Sequence, residues 1–97
     1  MEKLSLLARV VAKPGKEATV EQFLKDALAL AQQEQGTIRW YAFKINENTF
    51  GIFDSFANED ARQAHLSGEI AKALMANAEA LLLVPPVIEQ LELLAVK

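Results

Sequence analysis

Residues 37–56 read TIRWYAFKINENTFGIFDSF, two runs rich in aromatic and β-branched residues that flank the polar triplet Asn46-Glu47-Asn48. Such residues favour strands, and a short polar segment between two of these runs is typical of a hairpin. The sequence therefore predicts two antiparallel strands, over 37–45 and 49–56, and the remaining elements flank this hairpin on both sides.

The residues before the hairpin predict one strand and one helix. From Leu4 to Ala12 every second residue is apolar, which is the pattern of a strand. Lys13-Pro14-Gly15-Lys16 is a turn, because proline fixes its own φ and glycine accepts a positive one. From Lys16 to about Gln33 apolar residues recur at three- and four-residue steps, which predicts an amphipathic helix, and Gly36 is placed to end it.

A helix with one interruption and a last strand are predicted after the hairpin. Asn58 is a suitable N-cap for a helix that runs to about Leu66, Ser67-Gly68 interrupts it, and a second helical piece continues through Leu81. Pro85-Pro86 stops the helix, and residues 87–97 have the pattern of a strand. The order β-α-β-β-α-β predicts an α+β, ferredoxin-like fold with a four-stranded antiparallel sheet, in a single domain over residues 1–97.

The composition excludes several functional classes. The chain has 97 residues, 52% of them hydrophobic, a net charge of −3 and no cysteine. Ten scattered lysines and arginines give no basic stripe for nucleic acid, and no long uncharged stretch predicts a membrane span. The start of the chain lacks the layout of a secretory signal, so a cytoplasmic location is expected. One histidine without cysteine or clustered carboxylates predicts no metal site, and no cofactor motif is present.

Both faces of the predicted strands are apolar, which points to a partner. The two helical crossovers of a split βαβ fold lie on one face of the sheet and leave the other bare. Large exposed apolar patches are rare on monomers, so we expect a homodimer through the sheet face, with a separate partner protein as the alternative. The adjacent, opposite-facing apolar pairs are Leu6 and Leu7, Trp40 and Tyr41, Ile52 and Phe53, and Leu93 and Leu94.

Four short motifs carry a resemblance to a known family. They are the turn 13–16, the segment 36–41 (GTIRWY), Asp54-Ser55-Phe56 at the end of a strand, and Ala64-His65-Leu66 in a helix. The chain resembles the antibiotic biosynthesis monooxygenase family, small proteins that form dimeric α/β barrels. The spacing from Phe56 to His65 is similar to the family's aromatic residue followed by a helix and a His-Leu pair.

The resemblance implies a reaction and a set of site residues. Members of the family oxidise small quinol-like or anthrone-like aromatics with O₂ and without a cofactor. His65 is the only histidine and would accept the substrate proton, and Asp54 would orient it. Trp40 and Phe56 would stack on the substrate ring, and Arg39, Tyr41 or Arg9 would donate hydrogen bonds to the resulting anion, depending on the sheet face that each occupies.

Two features of the sequence depart from patterns within the family. Phe56 stands where the family commonly has tryptophan, so an indole N–H donor is missing. The relatives that degrade haem use an asparagine, a tryptophan and a histidine at positions where this chain has apolar residues, His65 and Met75, which argues against that activity.

The same residues are also consistent with other functions. His65 also fits a structural role as a half-buried helix histidine, and the strand aromatics fit packing in the core and interface. The main alternative is a non-catalytic dimeric barrel that binds a hydrophobic small molecule or serves only in assembly. A third is an isomerase or lyase, which would need an acid–base pair and no O₂.

Overall fold

A computed structural model describes residues 1–97 and confirms the predicted order of elements. The last strand ends at Glu92, earlier than predicted. No helix combines the length and the apolar character needed to cross a membrane. The elements are β1 (Leu4–Val11), α1 (Glu17–Gln33), β2 (Thr37–Lys44), β3 (Thr49–Phe56), α2 (Glu59–Leu66), α3 (Glu69–Leu81) and β4 (Val87–Glu92).

The four strands form one open antiparallel sheet in the order β2-β3-β1-β4. In the centre of the sheet Leu6 pairs with Asp54, and Asp54 pairs with Trp40 on its other side. Directly opposed residues in antiparallel strands point to the same face. These three side chains therefore share the face on which the helices pack.

The core lies between the sheet and the helices. Val20 and Leu24 of α1 and Leu74 of α3 pack against the helix face of β1 and β3. Two residues predicted to be in the apolar stripes are instead exposed, Leu28 at 46% and Met75 at 60%. No element covers Leu28 on the outer side of α1, and Met75 lies at the rim of a cavity described below.

The predicted break between the second and third helices is confirmed, and it fixes the position of α2. The Asn58 side chain accepts a hydrogen bond from the Ala61 amide at 2.9 Å, which caps the helix. At the other end the Gly68 amide donates to the carbonyl of His65. A Cβ on Gly36 would lie 2.8 Å from Cβ of Ala61, so glycine lets α2 lie directly against the start of β2.

The face of the sheet opposite the helices, called the open face below, exposes several apolar side chains. Tyr41 and Val87 are about half exposed, at 52% and 54%, and Phe43 is 37% exposed. The rings of Tyr41 and Phe53 stack at 6.4 Å between centroids. This face has the character that the sequence predicted for a dimer interface.

Candidate active site

His65 lies between two carboxylates in the interior of the protein. Its Nε2 is 3.0 Å from Oδ2 of Asp54, and its Nδ1 is 2.6 Å from Oε1 of Glu34. His65 is only 8% exposed and Asp54 only 1%. We call these three residues the carboxylate–imidazole cluster.

Three different elements bring the cluster together. Asp54 is placed by the register of β3, whose even-numbered residues point to the helices. His65 projects from the last turn of α2. Glu34 follows the last residue of α1, and its Oε1 also accepts a hydrogen bond from Thr37 Oγ1 at 2.7 Å. The fold therefore places Asp54 on one side of the imidazole ring and Glu34 on the other.

The two carboxylates determine the charge of the histidine. Burial opposes the charged imidazolium, but hydrogen bonds and charge attraction from Asp54 and then Glu34 outweigh it and raise the pKa of His65 to about 9. At neutral pH the ring is therefore protonated, and each N–H donates to one carboxylate.

An apolar cavity of about 110 Å³ adjoins the cluster. We call it the apolar cavity. Its walls come from β1, β3, α2, α3 and β4, and Asp54 and His65 are its only ionisable residues. The other lining residues are Leu6, Ala8, Ile52, Leu66, Ile70, Ala71, Leu74, Met75 and Ile88.

A second, more polar cavity of about 320 Å³ lies on the Glu34 side of the ring. It is lined by Glu34, Thr37 and Glu69 among others, and His65 also lines it. The imidazole thus separates a polar cavity from an apolar one. Asp54 faces only the apolar cavity, and Glu34 faces only the polar cavity.

One polar atom of Asp54 has no hydrogen-bond partner. Oδ2 of Asp54 pairs with His65, but the buried Oδ1 accepts no hydrogen bond. Buried polar atoms are normally satisfied, and an unsatisfied one commonly marks a functional position. Oδ1 has less than 1 Å² of accessible surface, so the surrounding protein closes it off from water-sized groups.

The structure brings His65 together with only some of the other predicted site residues. Asp54 contacts it directly, and the Phe56 ring lies 5.4 Å from the imidazole, tilted by 46°. Trp40 lies on the same sheet face and packs against the core, with its indole N–H unpaired. Neither Phe56 nor Trp40 lines the apolar cavity.

The predicted anion donors lie on the other side of the sheet. Arg39 pairs with Ser55, Tyr41 with Phe53 and Arg9 with Gly51, all on the open face. Arg39 donates from Nε to Glu2 at 3.0 Å. These residues therefore do not join the carboxylate–imidazole cluster of the same chain.

Sequence reasoning missed Glu34. Glu34 lies between the predicted first helix and Gly36. A charged side chain at the end of a helix is usually exposed to solvent, so this position did not suggest a site residue. Only the structure shows that Gly36 allows α2 to approach the start of β2 closely, which also brings His65 towards the end of α1. Glu34 and Asp54 bind opposite ring nitrogens, and no group of three His, Cys, Asp or Glu side chains is arranged to hold a metal ion.

Comparisons with known proteins agree with this architecture. A family model described as Antibiotic biosynthesis monooxygenase matches residues 4–77. No curated protein matches the chain. Among solved structures, a protein of unknown function from Nitrosomonas europaea has a TM-score of 0.98 and 58% identity, covering 100% of this chain and 94% of its own. A protein from Pseudomonas aeruginosa has a TM-score of 0.83 and 25% identity, with 98% and 97% covered.

A more distant structure carries the family's name. It is a crystal structure of an antibiotic biosynthesis monooxygenase, with a TM-score of 0.81, 15% identity and coverage of 95% of this chain and 99% of its own. At that identity the likeness shows a shared fold.

Proposed function

The chain belongs to the antibiotic biosynthesis monooxygenase family, and we propose that it is a cofactor-independent monooxygenase that oxidises a small, single-ring quinol with O₂. The observation that carries this proposal is the position of the carboxylate–imidazole cluster at one side of an otherwise apolar cavity. Such a site combines a group that accepts a proton with walls that exclude water.

The proposed reaction needs no added reductant. A hydroquinone and O₂ give a hydroxyquinone and water: one oxygen atom forms a new bond to a ring carbon, and the other leaves as water. The four electrons that O₂ takes up come from the ring. The protein's part is to hold the quinol, take its hydroxyl proton and keep the electron-rich ring out of water.

The size of the apolar cavity narrows the substrate class. A cavity of about 150 Å³ lined by leucine, isoleucine and phenylalanine is enough to bind benzene. The present cavity, at about 110 Å³, is smaller, and the exposed side chain of Met75 stands at its rim. A single ring that displaces Met75 fits this space better than the three fused rings of an anthrone.

The charge of His65 changes the role assigned to it. The sequence predicted that His65 accepts the substrate proton, but a histidine with a pKa of about 9 is already protonated at neutral pH. We therefore assign His65 the role of holding and charge-balancing the two carboxylates. The group that accepts the substrate proton is then the carboxylate–imidazole cluster as a whole.

Filling the apolar cavity is expected to stop the reaction. Ala71 of α3 lines the cavity, and Ala71→Leu would occupy the space of the ring without touching the cluster. Oxygen uptake by purified protein with a panel of single-ring quinols is expected to fall at least about tenfold, because the substrate can no longer reach a reactive position.

The matched control is Ala76→Leu, the same change at an exposed position of α3 outside the cavity, which should keep the wild-type rate. Melting temperatures of both variants check the fold. No uptake by the wild-type protein, or equal uptake by Ala71→Leu, would contradict the proposed function.

The small volume of the cavity also favours a second candidate. A non-catalytic barrel that binds a hydrophobic small molecule would use the same apolar walls. It predicts binding of single-ring aromatics without any oxygen uptake, so the same protein preparations distinguish the two functions.

We also propose that the chain forms a homodimer through the open face. Tyr41, Phe43 and Val87 expose apolar surface there, and a second copy packed about a two-fold axis would cover it. Tyr41→Glu places a charge among these exposed apolar side chains and is expected to give a monomer, as measured by light scattering after size exclusion. Leu28→Glu, at an equally exposed apolar residue on α1, should remain dimeric; a monomeric wild type would disprove the dimer.

A further inference from the structure

Glu34 is the member of the carboxylate–imidazole cluster that is most exposed to solvent. We propose that Glu34 is the group through which the cluster exchanges protons with solvent, whereas the Asp54 side of the imidazole ring is closed to this exchange. The inference deepens the proposed function and rests on it only for its role in turnover. The exchange itself can be measured without a substrate.

The two sides of the ring differ in their access to water. The Glu34 side chain is 19% exposed, whereas Asp54 is 1% exposed and its Oδ1 has less than 1 Å² of accessible surface. Apart from Asp54 and His65, the walls of the apolar cavity are apolar side chains, and cavities with such walls stay dry. A proton on Nε2 of His65 therefore has only Asp54 as an acceptor, but a proton on Nδ1 is separated from solvent by a single carboxylate.

The contact between His65 and Glu34 suits the transfer of a proton. Nδ1 lies 2.6 Å from Oε1 of Glu34, closer than the 3.0 Å between Nε2 and Asp54, and short hydrogen bonds between charged groups are the strong ones. Thr37 Oγ1 donates to the same Oε1 at 2.7 Å. Both hydrogen bonds use Oε1, so Oε2 remains free to exchange a proton with water.

Gly68 leaves this free oxygen uncovered. A Cβ on Gly68 would lie 3.2 Å from Oε2 of Glu34, and Gly68 lines the polar cavity. The φ of Gly68 is −86° and its ψ is −173°, a conformation that other residues adopt as well, so the backbone does not require glycine here. The cavity, at about 320 Å³, has room for several water molecules, each of which takes about 30 Å³ in the liquid.

The proposed exchange has two steps. The Nδ1–H bond breaks, its electron pair stays on the ring nitrogen, and the proton forms a bond with the Glu34 carboxylate. The carboxyl group then gives a proton to water in the polar cavity, and the neutral ring keeps its Nε2–H bond to Asp54. The reverse steps protonate the ring again. During turnover this route removes protons from the cluster without admitting water to the apolar cavity.

The two ring protons of His65 provide the test, and they are readily assigned because the chain has one histidine. Their exchange with water is measured by NMR on nitrogen-15-labelled protein near neutral pH. In the wild type, Nδ1–H is expected to exchange at least about tenfold faster than Nε2–H, because exchange on the Asp54 side requires the protein to open locally.

Three variants test the route. Glu34→Gln retains an acceptor for the Nδ1–H hydrogen bond but has no base, so the ratio of the two exchange rates should fall. Gly68→Ala places a methyl group beside Oε2 of Glu34 and should slow the exchange of Nδ1–H. Ala71→Leu fills the apolar cavity instead and should leave both rates unchanged.

Several results would overturn the proposal. They are equal exchange rates of the two ring protons in the wild type, faster exchange of Nε2–H, an unchanged ratio in Glu34→Gln, or slower exchange of Nδ1–H in Ala71→Leu but not in Gly68→Ala. The wild-type ratio decides the matter even if a variant does not fold. Since no substrate is present, a protein that takes up no oxygen would refute the monooxygenase function and leave this inference standing.

Discussion

Asp54→Asn is expected to lower the rate of oxygen uptake with quinols by about 10²–10⁴-fold, the range that a positioned proton acceptor contributes. The asparagine carbonyl can still accept from His65 Nε2–H, so its amide nitrogen takes the place of Oδ1. Asparagine cannot act as a base, so the cluster loses the carboxylate that lines the apolar cavity. The measurement is uptake under saturating quinol, with circular dichroism to verify the fold.

Glu34→Gln is the matched control for this change. Both substitutions replace one carboxylate beside His65 by its amide, but Glu34 lies in the polar cavity and does not line the apolar one. Its rate should fall by less than that of Asp54→Asn. Equal losses would mean that Asp54 acts only by positioning His65.

The fold was largely predictable because its signals are local. The run 49–56 is rich in aromatic and β-branched residues and follows a polar triplet, and the strand has those bounds in the structure. Asn58 is followed by two acidic residues and caps a helix as predicted. Each of these features is decided within a few residues, so no tertiary information was needed.

The site was only partly predictable because it depends on which sheet face meets the helices. Alternation places Trp40 and Tyr41 on opposite faces but does not say which face is covered. The structure puts Trp40 on the helix side with His65, and Tyr41 on the open face. Glu34 joins the cluster through a contact between residues 31 positions apart, which no local pattern reveals.

The location of Asp54 explains why a small apolar cavity is compatible with proton chemistry. A carboxylate in such surroundings would be costly without compensation. His65 supplies that compensation. Glu34 accepts a hydrogen bond from the second N–H of the ring, on the side of the polar cavity. The cluster thus lets a carboxylate group remain at the edge of an apolar space.

The free energy of unfolding is expected to fall by roughly 3 kcal/mol as the pH rises from about 6.5 to about 9, owing to His65. The carboxylates hold the pKa of His65 at about 9 in the folded protein, against 6.5 for an unperturbed histidine. Below pH 6.5 both states bind the proton and the stabilisation is complete. Above pH 9 the folded protein also loses the proton, and the stabilisation disappears.

Urea unfolding at a series of pH values between 6 and 10 measures this change, and the matched variant is His65→Gln. Glutamine fills a similar space and retains polar groups near Asp54 and Glu34, but it does not titrate in this range. The difference between the two pH profiles isolates His65 from every other group that titrates. Parallel profiles would show that the pKa of His65 is not raised in the folded protein, and would restore His65 as the candidate proton acceptor.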